Sequence, residues 1–283
     1  MPNESRSDVT SSPLGRRVEM PTMPDARVLF PLERAAARAE IGIDPQALPF
    51  VGADLWNAYE LSWLDARGKP HVALAELQVP ADSPCLIESK SLKLYLSGYA
   101  QSHFDDTTLL RGEIARDLAD AAGATVAVAL IDAEAFGSQT LAELPGISLD
   151  GLDIDIDDYG PPQPDYLRVD ARAQPVEETL ATRLFRSHCP VTGQPDWATV
   201  QIRYTGAPID RAGLLRYLVS WRGHSGFHET CVESIFTHIV ARCAPQMLRV
   251  YARFTRRGGL DINPWRASPG HDAPPRNVRT ARQ

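Results

Sequence analysis

Two stretches about 123 residues apart repeat one order of strand, loop, helix and strand, which predicts an α+β chain built from two related modules. L-K-L-Y-L at 92–96 is answered by L-L-R-Y-L at 214–218, and F-D-D-T at 104–107 by F-H-E-T at 227–230. Each pair is followed by a helical pattern and then an apolar strand. At 283 residues and 43% hydrophobic content, the chain is long enough for two ordinary domains with real cores.

Along the first half, the spacing predicts a helix over 32–41, then strands over 56–64 and 71–79 joined by a turn at 65–70. The alternating L-K-L-Y-L run is read as the strand that opens the first repeat. Leu110, Ile114, Leu118 and Ala121 recur at helical spacing over 107–122, and Gly123 is placed to end that helix. A continuous apolar strand follows over 125–131. Between the halves, L-D-I-D-I-D-D-Y-G-P-P alternates strictly and reads as an exposed strand with an acidic face over 147–163. It is a connector and not a calcium loop, because Asp158 stands where that loop needs Gly and Pro164 where it needs Glu.

The second half predicts an amphipathic helix over 176–187 and a strand over 197–204. After the second repeat come a helix over 231–243, with Val232, Ile235, Phe236 and Ile239 inward, and a strand over 247–254. The expected organisation is a poorly ordered segment 1–25, a module 26–145, a connector 146–165, a catalytic module 166–267 and a poorly ordered tail 268–283. Ser, Pro and charge dominate the first segment, and Pro274, Pro275 and several Arg the last.

A net charge of −7 argues against direct nucleic-acid binding, which would show a basic excess. The cysteines, Cys85, Cys189, Cys231 and Cys243, form no C-x-x-C pair and no secretory framework, as expected for a reducing cytoplasm. No apolar run approaches the roughly 20 residues that cross a bilayer, and the N-terminus lacks the apolar core of a signal peptide, so a soluble, cytosolic protein is expected.

S-H-C-P-V-T-G-Q-P-D-W at 187–197 sets Cys189 in a turn fixed by Pro190, Gly193 and Pro195, with Asp196 seven residues on. A thiolate is the nucleophilic form, and Arg183, Arg186 and His188 are candidates to favour it. Asp196 suits a proton donor or relay better than a group that ionises Cys189. The plain alternative is a loop cysteine near a loop aspartate. In F-H-E-T-C-V the zinc pattern H-E-x-x-H fails, because Val232 stands where the second His is required. His228 and Glu229, just before a helix, read either as a cap and a solvated charge or as recognition of an aminopyrimidinone edge by a carboxylate. Glu88 is placed for the same part in the other half. R-R-G-G-L-D-I-N-P-W at 256–265 puts Arg256 and Arg257 beside two glycines, either a phosphate cradle or a surface turn. Lys90 and Lys93 are cations for phosphate or a solvated edge. No G-x-G-x-x-G occurs.

Taken together, E-S-K-S-L-K-L-Y, S-H-C-P-V-T-G-Q-P-D-W, G-F-H-E-T-C-V-E-S-I-F and R-R-G-G-L-D-I-N-P-W-R resemble the NADPH-dependent 7-cyano-7-deazaguanine reductases of queuosine biosynthesis, in their long, two-module form. The likeness runs over about 30–267, and the E-S-K-S-x-K-x-Y motif separates that family from the GTP cyclohydrolases I. It implies tandem tunnelling-fold modules, each an antiparallel sheet with two helices on one face, and a homo-oligomer, a homodimer for the long form. It implies that Cys189 is the nucleophile and Asp196 the proton donor. By the same resemblance Ile87, Glu88, Ser89, His228 and Glu229 hold a deazapurine substrate, Ser89, Lys90, Arg257 and Gly258 hold NADPH, and no metal is required. The expected reaction converts a nitrile to a primary amine through a Cys thioimide and two hydride transfers. The competing expectations are a pterin-forming cyclohydrolase and a non-catalytic purine-binding protein.

Overall fold

The computed structural model describes residues 9–16, 18–271 and 273–283. It divides into two units. Unit 1 comprises the chain up to Ala47, Ala53–Thr140 and Arg256–Ile262; unit 2 comprises Leu48–Gly52, Leu141–Thr255 and Asn263–Gln283.

The elements of unit 1 are β1 (Pro31–Glu33), α1 (Arg34–Glu40), β2 (Val51–Leu64), β3 (Pro70–Pro80), β4 (Cys85–Ile87), α2 (Ser89–Ser97), α3 (Thr107–Ala122) and β5 (Ala127–Asp132). β2 and β3 form an antiparallel hairpin with a bulge between Ala58 and Leu61, and β5 adds to β3 antiparallel. β1 pairs separately with β4. Trp56, Leu61, Trp63 and Leu77 on the sheet bury against Leu92, Tyr95 and Leu96 of α2 and Leu110, Ile114 and Leu118 of α3. Both helices therefore cover one face.

Unit 2 contains β6 (Ile147–Ser148), β7 (Val176–His188), β8 (Pro195–Gly206), α4 (Arg211–Val219), α5 (His228–Cys243), β9 (Met247–Phe254) and the part of β10 (Leu260–Ala267) from Asn263 onward. β7 and β8 make an antiparallel hairpin with a bulge between Thr182 and Phe185; β9 pairs with β8 and β10 with β9, both antiparallel, while β6 adds two residues parallel to β7. α5 packs on β9 and α4 on β7.

The two units repeat each other more closely than their sequences do. α2 and α4 are both nine residues, and each starts on a carboxylate cap. Glu88 accepts from the N–H of Lys90 and Ser91, and Asp210 from those of Ala212 and Gly213. α3 and α5 are both sixteen residues. At the hairpin ends, Leu64 N–H donates to Ser102 O and Phe104 N–H to Leu64 O; correspondingly His188 N–H donates to His224 O and Gly226 N–H to His188 O.

Several expectations require correction. L-K-L-Y-L lies in α2 and not in a strand: Leu92, Tyr95, Leu96 and Tyr99 are buried at helical spacing, which five residues alone do not distinguish from alternation. The stretch 176–187 is strand β7, and its bulge puts buried Leu180 and Phe185 five residues apart, breaking the alternation that marks a strand. F-D-D-T and F-H-E-T are not equivalent, because the residue that caps α3 is Asp106 and the one that caps α5 is Phe227. Only Ile147–Ser148 of the acidic connector is a strand, although Leu152, Ile154 and Ile156 are half-buried and the intervening aspartates exposed. The first helix starts at Arg34, after Pro31–Glu33 has paired with β4. The tail is anchored at its end, where Thr280 and Gln283 are buried, while most of its other described residues are exposed or half-buried. Residues 1–8 of the N-terminal segment lie outside the described residues. Met247–Phe254 and the α3 bounds are as expected, with Gly123 left-handed at φ 71°.

Candidate active site

In unit 2, β7 delivers Cys189 into the hairpin turn, where its N–H donates to Gln194 O and its own carbonyl accepts from Gly193 N–H. Gly193 sits at φ 66°, a conformation that L side chains disfavour. β8 then places Asp196 opposite Ser187, two residues from Cys189 along the facing strand. Diagonal positions on one face of a hairpin lie within reach of each other's side chains. The bridge from His188 to His224 and Gly226 draws the start of α5 to the same end of the sheet.

His228 and Glu229 are the first two residues of α5, not residues ahead of it, and Phe227 caps the helix without a side-chain hydrogen bond. The His228 ring stacks flat on Phe254, centroids 3.7 Å apart and planes 2° from parallel. Its Nε2 lies 3.3 Å from Asp196 Oδ2. Its Nδ1 is buried with no hydrogen-bond partner among the described residues. Cys189, Asp196, His228 and Glu229 are exposed by only 3%, 4%, 8% and 3%. The nucleophile candidate thus lies in the expected turn but is buried.

The other thiols are poor nucleophiles. Burial first, and then the nearby charges of Asp196 and Glu229, push Cys231 up to about 12. Burial pushes Cys243 up to about 11 and raises Cys85 as well. Of the cations expected to favour thiolate, Arg183 is engaged by Glu143 and Asp150. Arg186 contacts His188 Nε2 at 2.8 Å and, with Arg222, lies over the Trp197 ring.

Unit 1 gathers the remaining candidates at two places. Ile87 ends β4, buried, and Glu88, Ser89 and Lys90 form the cap and first turn of α2. Burial raises the Glu88 carboxyl, against the opposing pull of the Lys90 and Ser91 N–H groups. Lys90 Nζ donates to Arg16 O. Arg257 and Leu260 close a tight turn through both backbone groups, with Gly258 at φ 60° and Gly259 at φ 81°. A Cβ on Gly258 would lie 3.2 Å from Lys93 Nζ, and one on Gly259 2.4 Å from the Glu60 carboxyl carbon. The glycine turn therefore sits against α2 beside Lys93, one helical turn beyond Ser89 and Lys90. Lys93 lies on a helix and not on a strand edge, three residues from Lys90. Among the described residues no group of three or more His, Cys, Asp or Glu is arranged to hold a metal ion, and no helix is long and apolar enough to cross a membrane.

Two like-built α+β units, the second with a buried thiol, carboxylate and imidazole at one hairpin end, define a two-module α+β protein with an enclosed candidate nucleophile. Residues 21–130 match the family described as "Nitrile reductase, 7-cyano-7-deazaguanine-reductase N-term", and residues 195–272 the one described as "QueF-like protein". A protein of Stenotrophomonas maltophilia (strain R551-3) named NADPH-dependent 7-cyano-7-deazaguanine reductase is 60% identical, over 96% of this chain and 98% of its own. Proteins of that name from Bordetella pertussis (strain Tohama I / ATCC BAA-589 / NCTC 13251) and Burkholderia multivorans (strain ATCC 17616 / 249) are each 56% identical, covering 97% and 96% of this chain and 99% and 98% of theirs. The chain belongs to the family of NADPH-dependent 7-cyano-7-deazaguanine reductases.

Proposed function

We propose that the protein reduces the nitrile of 7-cyano-7-deazaguanine to the primary amine of 7-aminomethyl-7-deazaguanine, with NADPH as reductant, in the queuosine modification of tRNA. The observation that carries this reading is the buried His228, stacked on Phe254, with Nε2 3.3 Å from Asp196 and Nδ1 unsatisfied at the Cys189 end of the hairpin. A buried polar atom without a partner is costly unless a ligand completes it.

Cys189 thiolate adds to the nitrile carbon while Asp196 gives a proton to the nitrogen, so a C–S and an N–H bond form and the triple bond becomes the double bond of a thioimide. NADPH, when bound, supplies one hydride per molecule, two per nitrile. Cys189 departs as thiolate once its carbon has been reduced, leaving an imine, and reduction of the imine with uptake of a second proton gives the amine. Nitrile, two NADPH and two protons balance against amine and two NADP+. The 3.3 Å separation of His228 and Asp196 is long for a hydrogen bond, and such contacts tighten when substrate binds. The site's burial keeps water from the imine between the two reductions.

Glu229 and His228 are assigned to the deazapurine, with Ile87, Glu88 and Ser89. Ser89, Lys90, Arg257 and Gly258 are assigned to NADPH, whose phosphates suit a turn with Gly258 at φ 60° beside the cations Arg257 and Lys93, the latter 3.6 Å from the Glu60 carboxylate. The working form is a homodimer in the cytoplasm, with modules over 26–145 and 166–267 and no direct contact with nucleic acid. NADPH absorbance tests the reading: loss of two NADPH per nitrile, only when 7-cyano-7-deazaguanine is present, is the expected result. Formate release from GTP would make it a cyclohydrolase, and silence in both assays a purine-binding protein. Sedimentation velocity tests the dimer.

A further inference from the structure

We infer that Gln283 is a positioning residue for the proton-donating pair His228–Asp196, acting through the backbone of Phe254. The inference rests on the mechanism proposed above. β9 ends at Phe254, which pairs with Ala198 of β8 on one side. On its other side Phe254 is held by side chains: its N–H donates to Asn263 Oδ1 at 3.2 Å, and its carbonyl accepts from Gln283 Nε2 at 2.8 Å. The same Gln283 nitrogen donates to Asn263 Oδ1 at 2.8 Å, locking the two side chains together. Gln283 Oε1 in turn accepts from Arg253 Nε at 2.8 Å and Thr280 N–H at 3.0 Å. Both donors and the acceptor of the amide are thus used inside the protein, 5% exposed.

This clamp fixes the residue on which His228 lies. The Phe254 ring is fully buried, is met edge-on by Phe185, and stacks on His228 at 3.7 Å. A ring held flat against another slides or tilts with it, so displacement of Phe254 changes the distance from His228 Nε2 to Asp196. Proton transfer is sensitive to shifts well under 1 Å. A segment far along the sequence from Cys189 therefore sets the geometry of the acid.

Gln283→Ala, and Gln283→Met, which keeps the volume of the stem without its hydrogen bonds, test this in the full chain. Thermal melts and the pH profile of kcat are measured alongside KM for NADPH. The expected result is a folded protein with kcat reduced by about 10-fold to 100-fold, an unchanged KM for NADPH, and a pH profile of kcat that differs from the wild type's. A wild-type kcat, or a lower kcat with the wild-type pH profile, would overturn the inference, as would failure of both variants to fold, which makes the clamp a stability element. Asp196→Asn separates the underlying mechanism: if it retains full activity, the proton-donor reading itself fails, whatever Gln283 does.

Discussion

In the β2–β3 hairpin of unit 1 the residue after the first strand is Asp65; in the β7–β8 hairpin of unit 2 it is Cys189. The surroundings match bond for bond: a bulge four residues before the strand end, a bridge to the segment ahead of the sixteen-residue helix, and a glycine closing the turn. Facing Asp65 is His71, 3.3 Å away, and facing the Cys189 end is Asp196, 3.3 Å from His228. What differs is burial. The His71 and Asp65 side chains are 42% and 29% exposed, and the Asp65 carboxyl is satisfied by its own turn, whose Lys69 N–H holds it below the usual carboxylate range. The side chains of His228 and Asp196 are 10% and 3% exposed, and Nδ1 of His228 is unsatisfied. One backbone can carry a screened surface pair or a buried one, and solvent access sets how strongly the two groups interact.

The widest gap between the two hairpin ends is expected on removing their turn residues. Cys189→Ala should retain substrate binding, form no covalent adduct by intact mass and lose turnover by about 10⁴-fold or more. Asp65→Ala, the same change in the other copy, should leave kcat within about twofold. An adduct on Cys189→Ala would remove that sulfur from the reaction. Next in size, Asp196→Asn should lower kcat by about 10² to 10⁴, the range of general acid catalysis, with single-turnover NADPH oxidation as the measurement; wild-type turnover sinks the donor role.

The caps offer a finer comparison. Glu88 and Asp210 do the same structural work at the starts of α2 and α4, so alanine at either should cost about 1 kcal/mol in denaturant unfolding. Only Glu88 is also assigned to the deazapurine, so only Glu88→Ala should raise KM for the nitrile. Equal kinetic effects, or none at Glu88, would reduce Glu88 to a cap.

The strands and helices with one unbroken period were legible in the sequence: 107–122 with its terminal glycine, and 247–254 to the residue. Those that failed had a reason in packing. The bulge in β7 shifts the inward face by one residue, and a short amphipathic run such as Leu92 to Leu96 satisfies two periods at once. The duplication was legible, but F-D-D-T and F-H-E-T matched out of register, because unit 2 has one residue fewer between the bridge at Gly226 and the helix cap. The turn that carries Cys189 and leads to Asp196 was legible through its prolines and glycine. The stacking of His228 on Phe254 and the anchoring of Gln283 were not, since both join residues distant in sequence that carry no motif. The arginines and prolines of the tail gave no sign that Thr280 and Gln283 are buried.

The smallest effect should appear in acid, and it too divides the units. In unit 1, Tyr95 of α2 donates to Asp117 of α3; at the matching place in unit 2, Tyr217 of α4 meets His238 Nδ1 at 2.9 Å. Burial lowers His238 below its ordinary 6.5, with His224 adding to the shift, and burial alone lowers His224. A group buried neutral takes up its proton more readily once unfolded, so this contribution is complete above about pH 6.5 and fades as pH falls through that value. The tyrosines of unit 1 are raised and stay neutral over the same range. Hydrogen exchange, corrected for its intrinsic pH dependence, should therefore show α4 and α5 losing protection between pH 7 and 5.5 while α2 and α3 lose less. His238→Gln, which cannot titrate, should narrow that difference. Equal loss in both units would mean that the imidazole in place of the carboxylate has no bearing on their acid stability.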